Sequence, residues 1–297
     1  MKPSIVIVRL LIVGFLLVGC KGSDIEPIPT PISQAPEGAL CGKYSVAPTK
    51  QVYFSKGNLM YLPAEKRFRL HENQNDFCGG LANVYTNKYC ETWNQWMDLF
   101  FWGTSGWDGG VKDYRPGTRY NDNTYFYING DMTQDMVGEY SKADWGVYNK
   151  IENGGNKAGL WRVLTHDEWC YLMGRKNAWT RGYYGETNGI IIFPDNFETP
   201  PNMQITFYAT TFAQNTLNAD EWRTLESLGV VFLPGCGVAN YLASTLIIPT
   251  PANYWSATTG KKHLEQASYV YCDEEVIGMA DQVRNLGLSV RLVQDIK

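Results

Sequence analysis

Histidine is scarce in this chain: His71, His166 and His263 are the three in 297 residues. No His-x-x-x-His or Cys-x-x-Cys spacing occurs, so no zinc site is encoded locally. A Gly-x-Ser-x-Gly elbow, a Walker loop and a dinucleotide fingerprint are also missing, and with them the local signatures of serine hydrolases, NTPases and nucleotide-dependent oxidoreductases. Charge is sparse, at 19% of residues, and 26 Lys+Arg against 30 Asp+Glu leave −4. A nucleic-acid binder needs a basic surplus to meet phosphates, so that class is excluded. After residue 18 no apolar run reaches membrane length.

What the chain has in quantity is hydrophobic and aromatic surface. Hydrophobic residues make up 44%, with 10 Trp, 19 Tyr and 12 Phe. This composition excludes disorder and coiled coil and calls for a large aromatic core or an aromatic binding surface. Twenty-nine Gly and 14 Pro argue for short elements joined by many loops.

The first twenty residues read as an address. Lys2 and Arg9 precede the apolar stretch Leu10 to Val18, too short to span a bilayer core of about 30 Å. Leu17-Val18-Gly19-Cys20 resembles a bacterial lipobox, in which Cys20 is acylated and becomes the mature N-terminus. Loss of Lys2 and Arg9 takes the charge from −4 to −6. Pro27, Pro29, Pro31 and Pro36 favour extended backbone, so residues 21–40 read as a semi-rigid tether and 41–297 as one domain.

Export bears on the cysteines. Setting Cys20 aside leaves six, an even number in an oxidising compartment. Cys78 with Cys90, and Cys236 with Cys272, are possible pairs among fifteen connectivities, and free buried thiols are the alternative.

The domain opens with strand-like runs at 44–47, 51–55, 59–61 and 65–70, the last two around Pro63-Ala64, which predicts hairpins. Trp93, Trp96 and Phe100 stand at i, i+3, i+7 and predict a short helix. Residues 107–123 form a long loop. Asp108-Gly109-Gly110 and the Asp131 to Asp135 segment lack the spacing of a calcium loop and read as turns that satisfy their own backbone. Thr165 with Glu168, and Asn218 with Glu221, are capping-box pairs that start two helices, each burying Trp and Leu three apart. Strands follow at 189–194 and 229–234. Strand-like runs also lie at 253–259, 267–271 and 287–293. His166 and Cys170 are one helical turn apart, a spacing open to nucleophilic catalysis but read here as a structural pair.

Trp161-Arg162-Val163-Leu164-Thr165 with Glu168-Trp169, Phe232-Leu233-Pro234-Gly235, Tyr254-Trp255-Ser256 and the terminal Gly287-Leu288-Ser289-Val290-Arg291-Leu292-Val293 stand in a familiar order. Together with Val52 to Leu59 and Ala143-Asp144-Trp145-Gly146, they resemble the Fibrobacter major paralogous domain, a family of surface lipoproteins from Bacteroidetes-type bacteria. The resemblance covers nearly all of 43–294. It implies an α+β, C-type-lectin-like fold, distantly similar to sulfatase-modifying factors, with a mixed, mostly antiparallel sheet, two short helices and long loops. It implies no shared activity. The Glu-Pro-Asn and Trp-Asn-Asp signatures of calcium-dependent lectins do not occur, and Cys272 has no neighbouring cysteine such as the sulfatase-modifying enzymes need.

These readings give an envelope lipoprotein, lipid-anchored, at the outer membrane and exposed at the surface. It binds a glycan or a surface protein and is not an enzyme; no cofactor, metal or nucleic acid is expected. Within the loops of 237–286, Tyr241, Asn253, Lys261, His263 and Asp273 are the expected ligand-binding residues. A structural subunit of a surface assembly such as a pilus or uptake complex is the alternative, and an enzyme on a sulfatase-modifying-factor-like scaffold a minor one.

Overall fold

The structure is a computed structural model and describes residues 35–78, 93–112, 116, 120–239, 244–245 and 252–297. Cys20, Cys90 and Tyr241 lie outside the described residues. Among those described, the strands run β1 (Tyr44–Ala47), β2 (Lys50–Phe54), β3 (Leu59–Leu62), β4 (Arg67–Leu70), β5 (Trp179–Tyr184), β6 (Thr187–Ile192), β7 (Thr216–Leu217), β8 (Val231–Pro234), β9 (Val238–Ala239), β10 (Ser244–Thr245), β11 (Ala252–Thr259), β12 (Gln266–Cys272), β13 (Ile277–Val283) and β14 (Val293–Asp295). The helices are α1 (Trp145–Tyr148), α2 (His166–Met173) and α3 (Ala219–Ser227).

The fold is α+β. Strands pair as β1-β2-β14, β3-β4, β7-β5-β6-β8, β9-β10 and β11-β12-β13, and every one of these pairings except β5 with β7 is antiparallel. β14 on β2 joins the two ends of the domain, with Val293 opposite Phe54.

The hairpins β1-β2 and β3-β4 and both capped helices form where the turn and capping residues place them. Thr165 accepts from the Glu168 N–H while the Glu168 carboxylate accepts from the Thr165 N–H; Asn218 and Glu221 do the same for α3. Gly229, at φ +83°, then turns the chain out of α3; a Cβ there would stand 2.1 Å from the Gly42 nitrogen.

Four expectations need correction. Residues 93–101 are extended, not helical: Met97 bridges Tyr61 and Phe100 bridges Leu288, so the helical spacing of Trp93, Trp96 and Phe100 is coincidental. The run 287–293 is strand only from Val293; before it, Gly287, Leu288 and Ser289 make single bridges to Ala239, Phe100 and Tyr254 and thread between sheets. The tether ends early, because Leu40 is 7% exposed and its N–H donates to the Phe54 carbonyl. Finally, Cys236 and Cys272 are separate free thiols. Cys272 packs with Val270 and Ala252, whereas Cys236 packs with Leu99 and Ala239, so the two belong to different clusters.

Aromatic burial builds the core. Trp102, Trp145, Trp161 and Trp255 occupy one cluster, Trp169 with Tyr44 and Phe54 a second, and Trp222 with Phe232 a third. In the first cluster the indole N–H groups meet passing backbone, Trp255 Nε1 donating to the Phe100 carbonyl at 2.7 Å and Trp102 Nε1 to that of Ser256 at 2.9 Å, whereas Trp169 Nε1 is buried without a partner.

Candidate functional site

The expected ligand residues do not converge. Asn253 is buried on β11 opposite Tyr271, and its carbonyl accepts from the Ser289 N–H. Asp273 closes the β12–β13 turn, accepting from the Glu275 and Val276 N–H groups and from the Tyr271 hydroxyl. Lys261 and His263 sit at the other end, in the β11–β12 turn, where their N–H groups donate to the Asp281 carboxylate. The seven residues of β12, rising about 3.3 Å each, hold that turn roughly 20 Å from Asp273.

The β11–β12 turn does meet another stretch, residues 123–132. Arg284 makes the junction. Its buried guanidinium donates to the carbonyls of Gln266 (3.1 Å), Leu264 (2.8 Å) and Met132 (2.6 Å), stacked 4.4 Å over Trp102 and 4.9 Å over Tyr127. Burial depresses its pKa to about 10, against the charges of Asp135, Asp131 and Glu265. Asn123 adds a second tie: its Nδ2 donates to the Glu265 carbonyl at 2.6 Å, and its Oδ1 accepts from the Arg284 N–H.

Two exposed features adjoin this junction. Tyr120 and Tyr125 stack in parallel, centroids 4.3 Å apart at 6°, with the Lys112 ammonium 4.1 Å over Tyr125. Both rings are half-buried. The side chains of Met132 and Leu264, whose carbonyls share one Arg284 nitrogen, are 42% and 46% exposed beside the exposed Lys262 and His263. Stacked aromatic rings, an apolar spot and cations on an anchored scaffold suit sugar faces or apolar side chains. Asp131 caps its own turn by accepting from the Thr133 N–H and hydroxyl, as its sequence context predicts.

On α2, His166 Nε2 lies 3.4 Å from Cys170 Sγ, and Nδ1 lies 2.6 Å from Ser268 Oγ. Cys170 is exposed, not half-buried as a core helix position would be. Burial and then Lys261 push the imidazole pKa down; burial and then Asp167 push the thiol up. Both directions favour the neutral pair over thiolate and imidazolium, so the contact is a weak neutral hydrogen bond.

A buried polar seam crosses the core behind β3 and β11. Arg291, 1% exposed, donates to Asn58 Oδ1 (3.2 Å) and Gln74 Oε1 (2.9 Å). Asn58 Nδ2 donates to the Tyr254 hydroxyl (3.0 Å), which donates to the Pro234 carbonyl (2.9 Å). Burial lowers the Arg291 pKa to about 10 and raises those of Tyr254 and Cys236. At the end of this seam stand His71, Cys78 and Asp98, whose donor atoms all lie within 4.8 Å of one another. Sequence reading misses this group because Asp98 is 20 residues beyond Cys78 and only the fold joins them.

No family model matches the chain, and neither a curated protein nor a solved structure matches it.

Proposed function

We propose that the protein is a lipoprotein of the cell envelope, anchored at the outer membrane through Cys20 and exposed at the surface. In this reading its C-type-lectin-like domain binds a glycan or a protein and works by binding, without turnover. The observations that carry the proposal are the Tyr120–Tyr125 stack beside Asn123 and the exposed Met132 and Leu264 side chains, tied to the β11–β12 turn by Asn123 and Arg284. An N-terminal lipobox and a proline tether supply a means of display. The order of motifs, resembling the Fibrobacter major paralogous domain, and the antiparallel sheets with the two capping-box helices α2 and α3 support the lectin-like fold.

Anchoring is tested by labelling cells with an alkynyl fatty acid: the wild type takes the label and partitions into the membrane fraction, and Cys20→Ser does neither. Binding is tested by presenting the full chain to a glycan array and to extracellular and envelope proteins. Tyr120→Ala with Tyr125→Ala is expected to weaken a wild-type signal by about tenfold or more, since part-exposed aromatics in a binding site carry much of its energy. Equal signals from both proteins would contradict the assignment of this face.

A further inference from the structure

The cluster of His71, Cys78 and Asp98 carries an inference independent of the ligand face. His71 Nε2 is 3.1 Å from Asp98 Oδ2, and Cys78 Sγ is 3.9 Å from His71 Nε2. Zinc binds nitrogen and carboxylate oxygen at about 2.0–2.2 Å and thiolate sulfur at about 2.3 Å, so ligand atoms around a tetrahedral ion stand about 3.3–3.6 Å apart. The two observed separations bracket that range. With all three donor atoms within 4.8 Å of one another, side-chain rotations would bring them to the corners of a coordination tetrahedron.

The scaffold around them is rigid. Asp98 follows Met97, which exchanges two backbone hydrogen bonds with Tyr61 on β3. The His71 N–H donates to the Asn58 carbonyl, and Gly57 packs so close that a Cβ there would meet the His71 carbonyl at 2.3 Å. Between His71 and Cys78, Gln74 pins the segment to β8, donating to the Val230 carbonyl and accepting from the Phe232 N–H. The Cys78 N–H donates to Asp98 Oδ2 at 2.7 Å, which orients one ligand by the backbone of another. Asp98 is fully buried and His71 nearly so, while Cys78 is half-buried.

We propose that His71 Nε2, Cys78 Sγ and a carboxylate oxygen of Asp98 form a binding site for a divalent transition-metal ion, zinc by the chemistry of the donors. One thiolate, one imidazole and one carboxylate suit a borderline-soft ion and exclude calcium or magnesium, which take oxygen ligands. Binding uses the His71 tautomer with its proton on Nδ1 and releases the Cys78 thiol proton to solvent. Three protein ligands leave one tetrahedral position for water or another donor.

The test uses the reduced full chain in detergent, with Zn(II) and Co(II) as probes. The expected result is one Zn(II) per chain and, with Co(II), a thiolate-to-metal charge-transfer band in the near ultraviolet. Cys78→Ser abolishes that band, Asp98→Asn weakens binding about tenfold or more, and Cys170→Ser changes nothing. Asp98→Asn keeps an oxygen for the Cys78 N–H, so it preserves the fold if Cys78→Ser does not. In wild type, one equivalent of Zn(II) also protects Cys78 but not Cys170 from alkylation. A folded, reduced wild type without the cobalt band overturns the proposal. So does a band that survives Cys78→Ser, or a Cys78 disulfide in the protein isolated from the envelope.

Discussion

Cysteine behaviour in this protein divides by burial. Cys170 is exposed, Cys41 is part-exposed with its thiol on the Ser227 carbonyl, and Cys236 and Cys272 are buried. Burial lifts the Cys272 pKa to about 12 and that of Cys236 higher still. Alkylation of the native protein followed by peptide mass mapping is expected to modify Cys170 first, and Cys236 and Cys272 only after unfolding. Asp144 gives a second residue-scale prediction. It caps α1 and accepts from the Gly146 and Val163 N–H groups, yet complete burial outweighs these bonds and raises its pKa to about 6. A carboxyl with a raised folded pKa contributes most below the unfolded value near 3.9, and that contribution is lost as pH rises through about 6. Relative to Asp144→Asn, the wild type should therefore lose about 2–3 kcal/mol between pH 4 and 7. Unfolding titrations of both proteins at several pH values check this; parallel profiles would refute it. Glu168 and Asp295 have the opposite sign. Burial raises each, but the Arg162 guanidinium outweighs it and holds both below the usual range, so their contribution is complete above about pH 4.5 and lost on acidification.

Among the elements, the capping boxes are the most local determinants. Thr165→Ala or Asn218→Ala is expected to cost about 0.5–2 kcal/mol in chemical denaturation. Thr165 is the costlier, because Glu168 on the same helix also holds Arg162 and Lys50. These helices and the hairpins β1-β2 and β3-β4 were legible in the sequence because capping and turn chemistry act within a few residues. The segment 93–101 was not legible: tryptophan spacing fits a helix, but the backbone partners Tyr61 and Leu288 are supplied from far along the chain. β13 was passed over because Ile277 to Val283 is half-buried throughout and lacks the alternation of a one-sided strand. The same limit applied to the sites. Lys261, His263 and Asp273 look close in sequence, yet β12 separates them, while the fold brings Met132 to Arg284, 152 residues on, and Asp98 to His71, 27 residues before it.

For the whole molecule, Arg284 matters most. One buried side chain ties residues 126–132 to the β11–β12 turn, beside the proposed binding residues. Arg284→Met would take the guanidinium donor from the carbonyls of Met132 and Leu264, at an expected cost of about 1–3 kcal/mol for each that stays buried, while the Gln266 carbonyl keeps the Gly260 N–H. Thermal unfolding should show a clear fall in Tm, with loss of any bound ligand at temperatures where the variant is still folded.

The most direct test of the account is a quantitative binding measurement with the full chain, comparing wild type with the Tyr120→Ala, Tyr125→Ala double variant on a glycan array and in a pull-down from envelope and extracellular proteins. The account predicts a specific wild-type ligand whose signal falls about tenfold or more in a variant of unchanged fold. A folded wild type that captures nothing, or a variant that binds equally well, would contradict it.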